Sequence, residues 1–95
     1  MKRYELMFII NPILTEEARE AAIEKACDIL KASGGNILKA DKWGERKLAY
    51  PIDKKKTGFY VLVTFEIEGT ALTEVERKLN IVEEIMRYIL VKQDD

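Results

Sequence analysis

The run from Gly58 to Glu68, GFYVLVTFEIE, constrains the fold more than any other part of the chain. Phe59, Val61, Val63, Phe65 and Ile67 occupy one register of a two-residue alternation, and Tyr60, Leu62, Thr64, Glu66 and Glu68 occupy the other. A period of two belongs to a β-strand, whose successive side chains point to opposite faces. The first register is apolar throughout and must face a core. The second begins with Tyr60 and Leu62, so this strand belongs inside a sheet and its other face is also partly apolar.

Elements of matching period surround it. Tyr4, Leu6, Phe8 and Ile10 alternate with Met7 and Ile9 in a first strand that Asn11-Pro12 ends. Thr15 is placed to cap a helix, with Glu16 and Glu17 set favourably in its first turn. Ala22, Ile23, Ala26, Cys27 and Leu30 then form one apolar stripe, and Gly34-Gly35-Asn36 stops the helix. A second strand is expected from about Ile37 to Ile52, and a turn over Lys54-Lys55-Lys56-Thr57-Gly58. Leu72, Val75 and Leu79 mark a short second helix, and residues 84–92 read as a last strand.

The order β-α-β-β-α-β predicts an α+β sandwich of the ferredoxin-like type, a four-stranded antiparallel sheet with two helices on one face. Residues 1–95 form a single domain on this reading, without repeat or linker. The second and fourth strands then lie at the edges. Pro51 agrees, because proline removes a ladder donor and is confined to edges, bulges or strand starts. The helix-free face carries Met7, Ile9, Tyr60 and Leu62. It is either a partner surface or the ordinary apolar share of a protein surface.

Several function classes drop out. The chain has no histidine and one cysteine, Cys27, so neither a histidine-based nucleophile pair nor a cysteine metal cluster is available. Cys27 lies on the core stripe and reads as packing. The carboxylate pairs Glu16/Glu17, Glu66/Glu68 and Glu83/Glu84 lack an accompanying base, and Gly34-Gly35 opens no phosphate-binding helix. The expectation is a protein without enzymatic activity, cofactor, metal or small-molecule substrate. The apolar run Leu6–Ile10 is too short for export or for crossing a bilayer, so a cytoplasmic protein without membrane contact is expected.

Basic residues are informative through their placement. Net charge is −1, yet residues 39–56 hold seven lysines and arginines against three acids. Trp43, Tyr50 and Tyr60 interleave with or follow this strip. Arginine bridges phosphates and aromatic rings stack on bases, which would suit RNA. Lysines on an edge strand also prevent sheet-to-sheet aggregation. That second reading covers the lysines but leaves Trp43-Gly44 and an Arg87 set within an apolar strand unexplained. The pattern alone leaves both readings open.

Five segments carry a resemblance along nearly the whole chain: RYE at 3–5, NP at 11–12, WGERKLAYPI at 43–52, GFYVL at 58–62 and RYILVK at 87–92. In order and spacing they resemble the bacterial small-subunit ribosomal protein six family. The resemblance implies a structural role in the small ribosomal subunit, binding the central domain of the small-subunit (16S) ribosomal RNA. It also implies a heterodimer with small-subunit ribosomal protein eighteen, whose positive charge would let a slightly acidic chain sit on RNA. Carried over position by position, it implies RNA contacts at Lys2, Arg3, Arg46, Lys47 and Arg87, to which Lys92 on the last strand is added. Tyr4, Met7, Trp43, Tyr50, Tyr60, Leu62 and Tyr88 are expected at the partner protein or the RNA. The alternative is a ferredoxin-like regulatory module binding a small molecule. An acylphosphatase-type enzyme of similar topology would need an anion loop that the sequence lacks.

Overall fold

The computed structural model describes residues 2–52 and 55–93, with the side chains of residues 49–52 and 55 outside the described set. The elements are β1 (Lys2–Ile10), α1 (Glu16–Ala32), β2 (Asn36–Ile52), β3 (Lys55–Ile67), α2 (Leu72–Leu79) and β4 (Ile85–Lys92), with one 3₁₀ turn at Gly69–Ala71 before α2. One four-stranded sheet has the order β2-β3-β1-β4, and all its pairings are antiparallel. This is the ferredoxin-like arrangement expected, with β2 and β4 at the edges.

The helix ends follow local chemistry. Thr15 Oγ1 accepts the Ala18 amide at 3.2 Å, satisfying one of the donors that a helix start leaves unpaired. At the other end the Gly34 and Gly35 amides donate to the carbonyls of Lys31 and Leu30 at 3.0 and 2.8 Å. The α1 stripe of Ala22, Ile23, Ala26 and Leu30 is buried as predicted, and Cys27 packs partly buried beside it. Burial pushes the Cys27 thiol above its ordinary value, which suits an inert packing residue. Val75 and Leu79 anchor α2.

Directly opposed residues of an antiparallel pair share a face, so the register assigns both sides of the sheet. Leu6 lies opposite Val63 and Leu90, Phe8 opposite Val61 and Tyr88, and Tyr4 opposite Phe65 and Lys92. This is the helix-covered side. Leu6, Phe8, Ile10, Val61, Val63, Phe65 and Ile67 are fully buried there. Replacing Phe8 or Phe65 by alanine would cost about 3–5 kcal/mol, the usual range for a buried phenylalanine.

One boundary differs from expectation. Thr57 and Gly58 are not in the turn; they pair with Lys47 and Arg46, and β3 begins at Lys55. The lysine-rich composition suggested a turn, but cross-strand pairing decides. As a result the β2–β3 hairpin continues past Ile10↔Phe59, the last β1–β3 pair, and overhangs the rest of the sheet. Four β3 residues beyond that pair correspond to about 13 Å of strand. Pro51 lies in edge strand β2, where a missing donor is tolerated.

Candidate RNA and partner-protein interface

The helix-free face can be read as rows running from β2 through β3 and β1 to β4. Lys39, Thr64, Glu5 and Val91 form one row, and Asp41, Leu62, Met7 and Ile89 form the next. Gly44, Tyr60, Ile9 and Arg87 form the third. Beyond them Arg3 faces Glu66 at one end and Arg46 faces Gly58 at the other.

The middle of this face is apolar. Met7, Trp43, Leu62, Ile89 and Val91, together with Glu5, line a groove of about 330 Å³. Trp43, Ile89 and Val91 are 45%, 61% and 51% exposed, so the groove opens to solvent rather than belonging to the core. Two features of the backbone shape it. The β2–β3 register shifts between Lys42 and Gly44, and Gly44 has φ 87°, a left-handed conformation that side chains with a Cβ rarely adopt. Lys42 pairs opposite Val61 on the helix side and reaches Glu20 of α1 at 2.5 and 2.7 Å, while Trp43 lines the groove on the opposite side. Gly58 is the second feature: a Cβ there would lie 2.3 Å from Ile9 Cγ2 and 3.4 Å from Leu48 Cδ2. The missing side chain lets Ile9 lie across β3.

The expected contact residues divide between the two faces. Arg3, Met7, Arg46, Tyr60, Leu62 and Arg87 lie on the helix-free face by register, and Trp43 joins them by lining the groove. Lys2, Lys47 and Lys92 project toward the helix side, although all three are exposed. Along the strands the six cations form two groups. Lys2, Arg3 and Lys92 sit together at the start of β1 and the end of β4. Arg46, Lys47 and Arg87 sit toward the opposite end. Arg3 and Ile9, the partner of Arg87, are six residue steps apart on β1, which is about 20 Å of strand.

Two expected aromatic contacts move. Tyr4 is a core residue, 7% exposed, with its ring stacked on Phe65 at a centroid distance of 5.9 Å. Its even register places it with Leu6 and Phe8, so its ring lies on the helix side and not on the helix-free face. Tyr88 also lies on the helix side, where its hydroxyl donates to Asn80 Oδ1 at 3.0 Å beside the end of α2. Burial, reinforced by the Glu76 charge, raises its phenol above the ordinary value, against the lowering effect of the Asn80 bond. The Tyr50 side chain lies outside the described residues. Arg87, set in an apolar strand, is exposed rather than buried.

Glu5 is the functional candidate that the residue types did not advertise. Its register, two positions from Met7, was the available signal. Its Oε1 accepts Gln93 Nε2 at 2.6 Å, and no lysine or arginine among the described residues pairs with it. No group of histidine, cysteine and carboxylate side chains suited to a metal occurs among the described residues.

Known proteins agree with this geometry. The family model for ribosomal protein S6 matches residues 3–92. The small ribosomal subunit protein bS6 of Fusobacterium nucleatum is 63% identical over 94 residues, covering 99% of this chain and all of that protein. The bS6 protein of Caldanaerobacter subterraneus is 41% identical over 95 residues, with both chains fully covered. A crystal structure of 30S ribosomal protein S6 from Thermotoga maritima superposes with a TM-score of 0.92 at 35% identity, covering 97% of this chain and 87% of that one. With a matching fold, a family model spanning residues 3–92 and full-length similarity, the chain belongs to the ribosomal protein S6 family, a family of structural, non-enzymatic proteins of the small ribosomal subunit.

Proposed function

We propose that this protein is a structural component of the small ribosomal subunit in the cytoplasm, binding the central domain of 16S ribosomal RNA together with small-subunit ribosomal protein eighteen. The observation that carries the reading is the layout of the helix-free face: cations at both ends, and an open apolar groove with carboxylates between them. Arg46, Lys47 and Arg87 at one end and Lys2, Arg3 and Lys92 at the other suit phosphate contacts. Backbone contacts of this kind position a protein on RNA by shape and charge. Trp43, Met7, Leu62, Ile89 and Val91 suit a protein partner, because an exposed apolar patch gains most from being covered.

A net charge of −1 gives no attractive field over the whole molecule. The isolated chain therefore binds RNA weakly, and the basic partner raises the affinity. Titrating a central-domain RNA fragment with the chain alone and with protein eighteen present tests this. Tight binding by the isolated chain, unchanged by the partner, would overturn the cooperative reading. Within the complex, Arg87→Ala should lower the slope of log affinity against log salt by about one phosphate contact while circular dichroism stays native. Unfolding of that variant would instead make Arg87 a structural residue.

A further inference from the structure

We propose that Glu5 makes the groove selective for a basic partner segment, one that places an apolar side chain among Met7, Trp43, Leu62, Ile89 and Val91 and sets a lysine or arginine against the Glu5 carboxylate. The proposal rests on the docking reading above and specifies the chemistry of the occupant. Glu5 lines the groove and is already half-buried in the free chain. Any segment that closes the groove removes the remaining water from this carboxylate. Burying an ionised carboxylate without a partner is costly, and the one amide that Gln93 donates to Oε1 at 2.6 Å leaves most of its acceptor capacity unmet. An occupant that supplies no cation must therefore either leave the groove open or bury an unpaired charge. A guanidinium or ammonium resolves the conflict, and arginine does so best because its fork accommodates a carboxylate in two bonds.

The surroundings point to the same occupant. Glu5 shares its face with Glu66, which lies directly opposite Arg3, and with Asp41, which is held by Lys39 at 3.3 Å. The nearest arginine in register on that face is Arg3, two residues away on β1, and no ion pair joins it to Glu5. Glu5 is thus the one carboxylate among the residues lining the groove, and no lysine or arginine among the described residues pairs with it.

The test compares wild type, Glu5→Gln and Trp43→Ala in titrations against purified protein eighteen at several salt concentrations, with sedimentation velocity of each free chain and urea unfolding to verify the fold. Glutamine keeps the shape and a partner for Gln93 but removes the charge. Losing one member of a desolvated charge pair should weaken partner binding about 30-fold or more and flatten its salt dependence. Trp43→Ala should weaken binding while leaving the salt dependence as in wild type. If Glu5→Gln binds as tightly as wild type with the same salt slope, the selectivity inference fails while the docking reading stands. If wild type does not bind the partner and instead dimerises through this face, the docking reading fails and the inference with it.

Discussion

The missing side chain at Gly58 leaves room for Ile9, and its contribution can be isolated by a double-mutant cycle. An alanine Cβ at position 58 would stand 2.3 Å from Ile9 Cγ2, far inside van der Waals contact. Cγ2 is attached directly to a branched Cβ, so Ile9 must rotate about χ1 or the two strands must move apart. Overpacking of this kind costs about 1–3 kcal/mol. The backbone at Gly58 is not in the left-handed region, so alanine also restricts the unfolded chain and returns about 0.4–1 kcal/mol. The net expectation for Gly58→Ala is a loss of about 1–2 kcal/mol, or about 5–10 °C in Tm for a domain of this size. In an Ile9→Ala background the clashing atom is gone, and the next neighbour, Leu48 Cδ2 at 3.4 Å, can adjust. There Gly58→Ala should be close to neutral, giving a coupling of about 1–2 kcal/mol. Ile9→Val retains Cγ2 and should give no relief. Urea unfolding of the single and double variants measures these values. An equal loss in the wild-type and Ile9→Ala backgrounds, or equal rescue by valine and alanine, would refute the steric account.

Tyr88→Phe removes the hydroxyl that donates to Asn80 Oδ1 at 3.0 Å, and should cost about 0.5 kcal/mol for this partly solvated bond. The Tyr88 phenol is raised in the folded state, chiefly by burial. Above the unfolded tyrosine value the folded chain therefore holds more protons than the unfolded chain, and stability falls as pH rises through that window. Urea midpoints measured from pH 9 upward should decline less steeply in Tyr88→Phe than in wild type. Thr15→Ala deletes the cap on α1 and should cost about 1 kcal/mol, with Thr15→Ser nearly neutral; equal losses in both would mean that the Ala18 bond is not the cause.

The fold was legible because its determinants are local and periodic. The two inner strands announce themselves by alternation, α1 by its Thr15 cap and the spacing of Ala22, Ile23, Ala26 and Leu30, and the edge position of β2 by Pro51. The turn expected over Lys54–Gly58 ran too far along the chain because Lys55, Lys56, Thr57 and Gly58 have the composition of a turn, while Lys54 lies outside the described residues. Only the long-range pairing of Thr57 with Lys47 and of Gly58 with Arg46 shows them to be strand. The candidate interface was legible in part. Parity alone puts Met7, Tyr60, Leu62 and Arg87 on one face, and it also places Tyr4 and Tyr88 on the other. The two tyrosines were expected as contacts from residue type, and the register sets both on the helix side, Tyr4 in the core and Tyr88 against Asn80. Glu5 escaped notice for the converse reason. An acidic residue in a chain of 17 acids carries no signal until the structure shows it at the edge of an apolar groove.

The distribution of charge gives the proposed dependence on a partner a physical basis. The two cationic ends lie about 20 Å apart along the strands, more than two Debye lengths at physiological salt, so each acts on phosphate largely by itself. Between them stand Glu5 and Asp41, the latter held by Lys39, while Glu66 faces Arg3 at one end. RNA laid across this face would meet attraction at its margins and repulsion at its centre. A partner that fills the groove changes that balance twice: it covers the apolar floor, and its cation neutralises the carboxylates that repel phosphate. Neither effect requires the backbone of this chain to move. If the proposed cooperative binding arises from this charge compensation, linkage makes it reciprocal, so bound RNA would raise the affinity for the partner by the same factor.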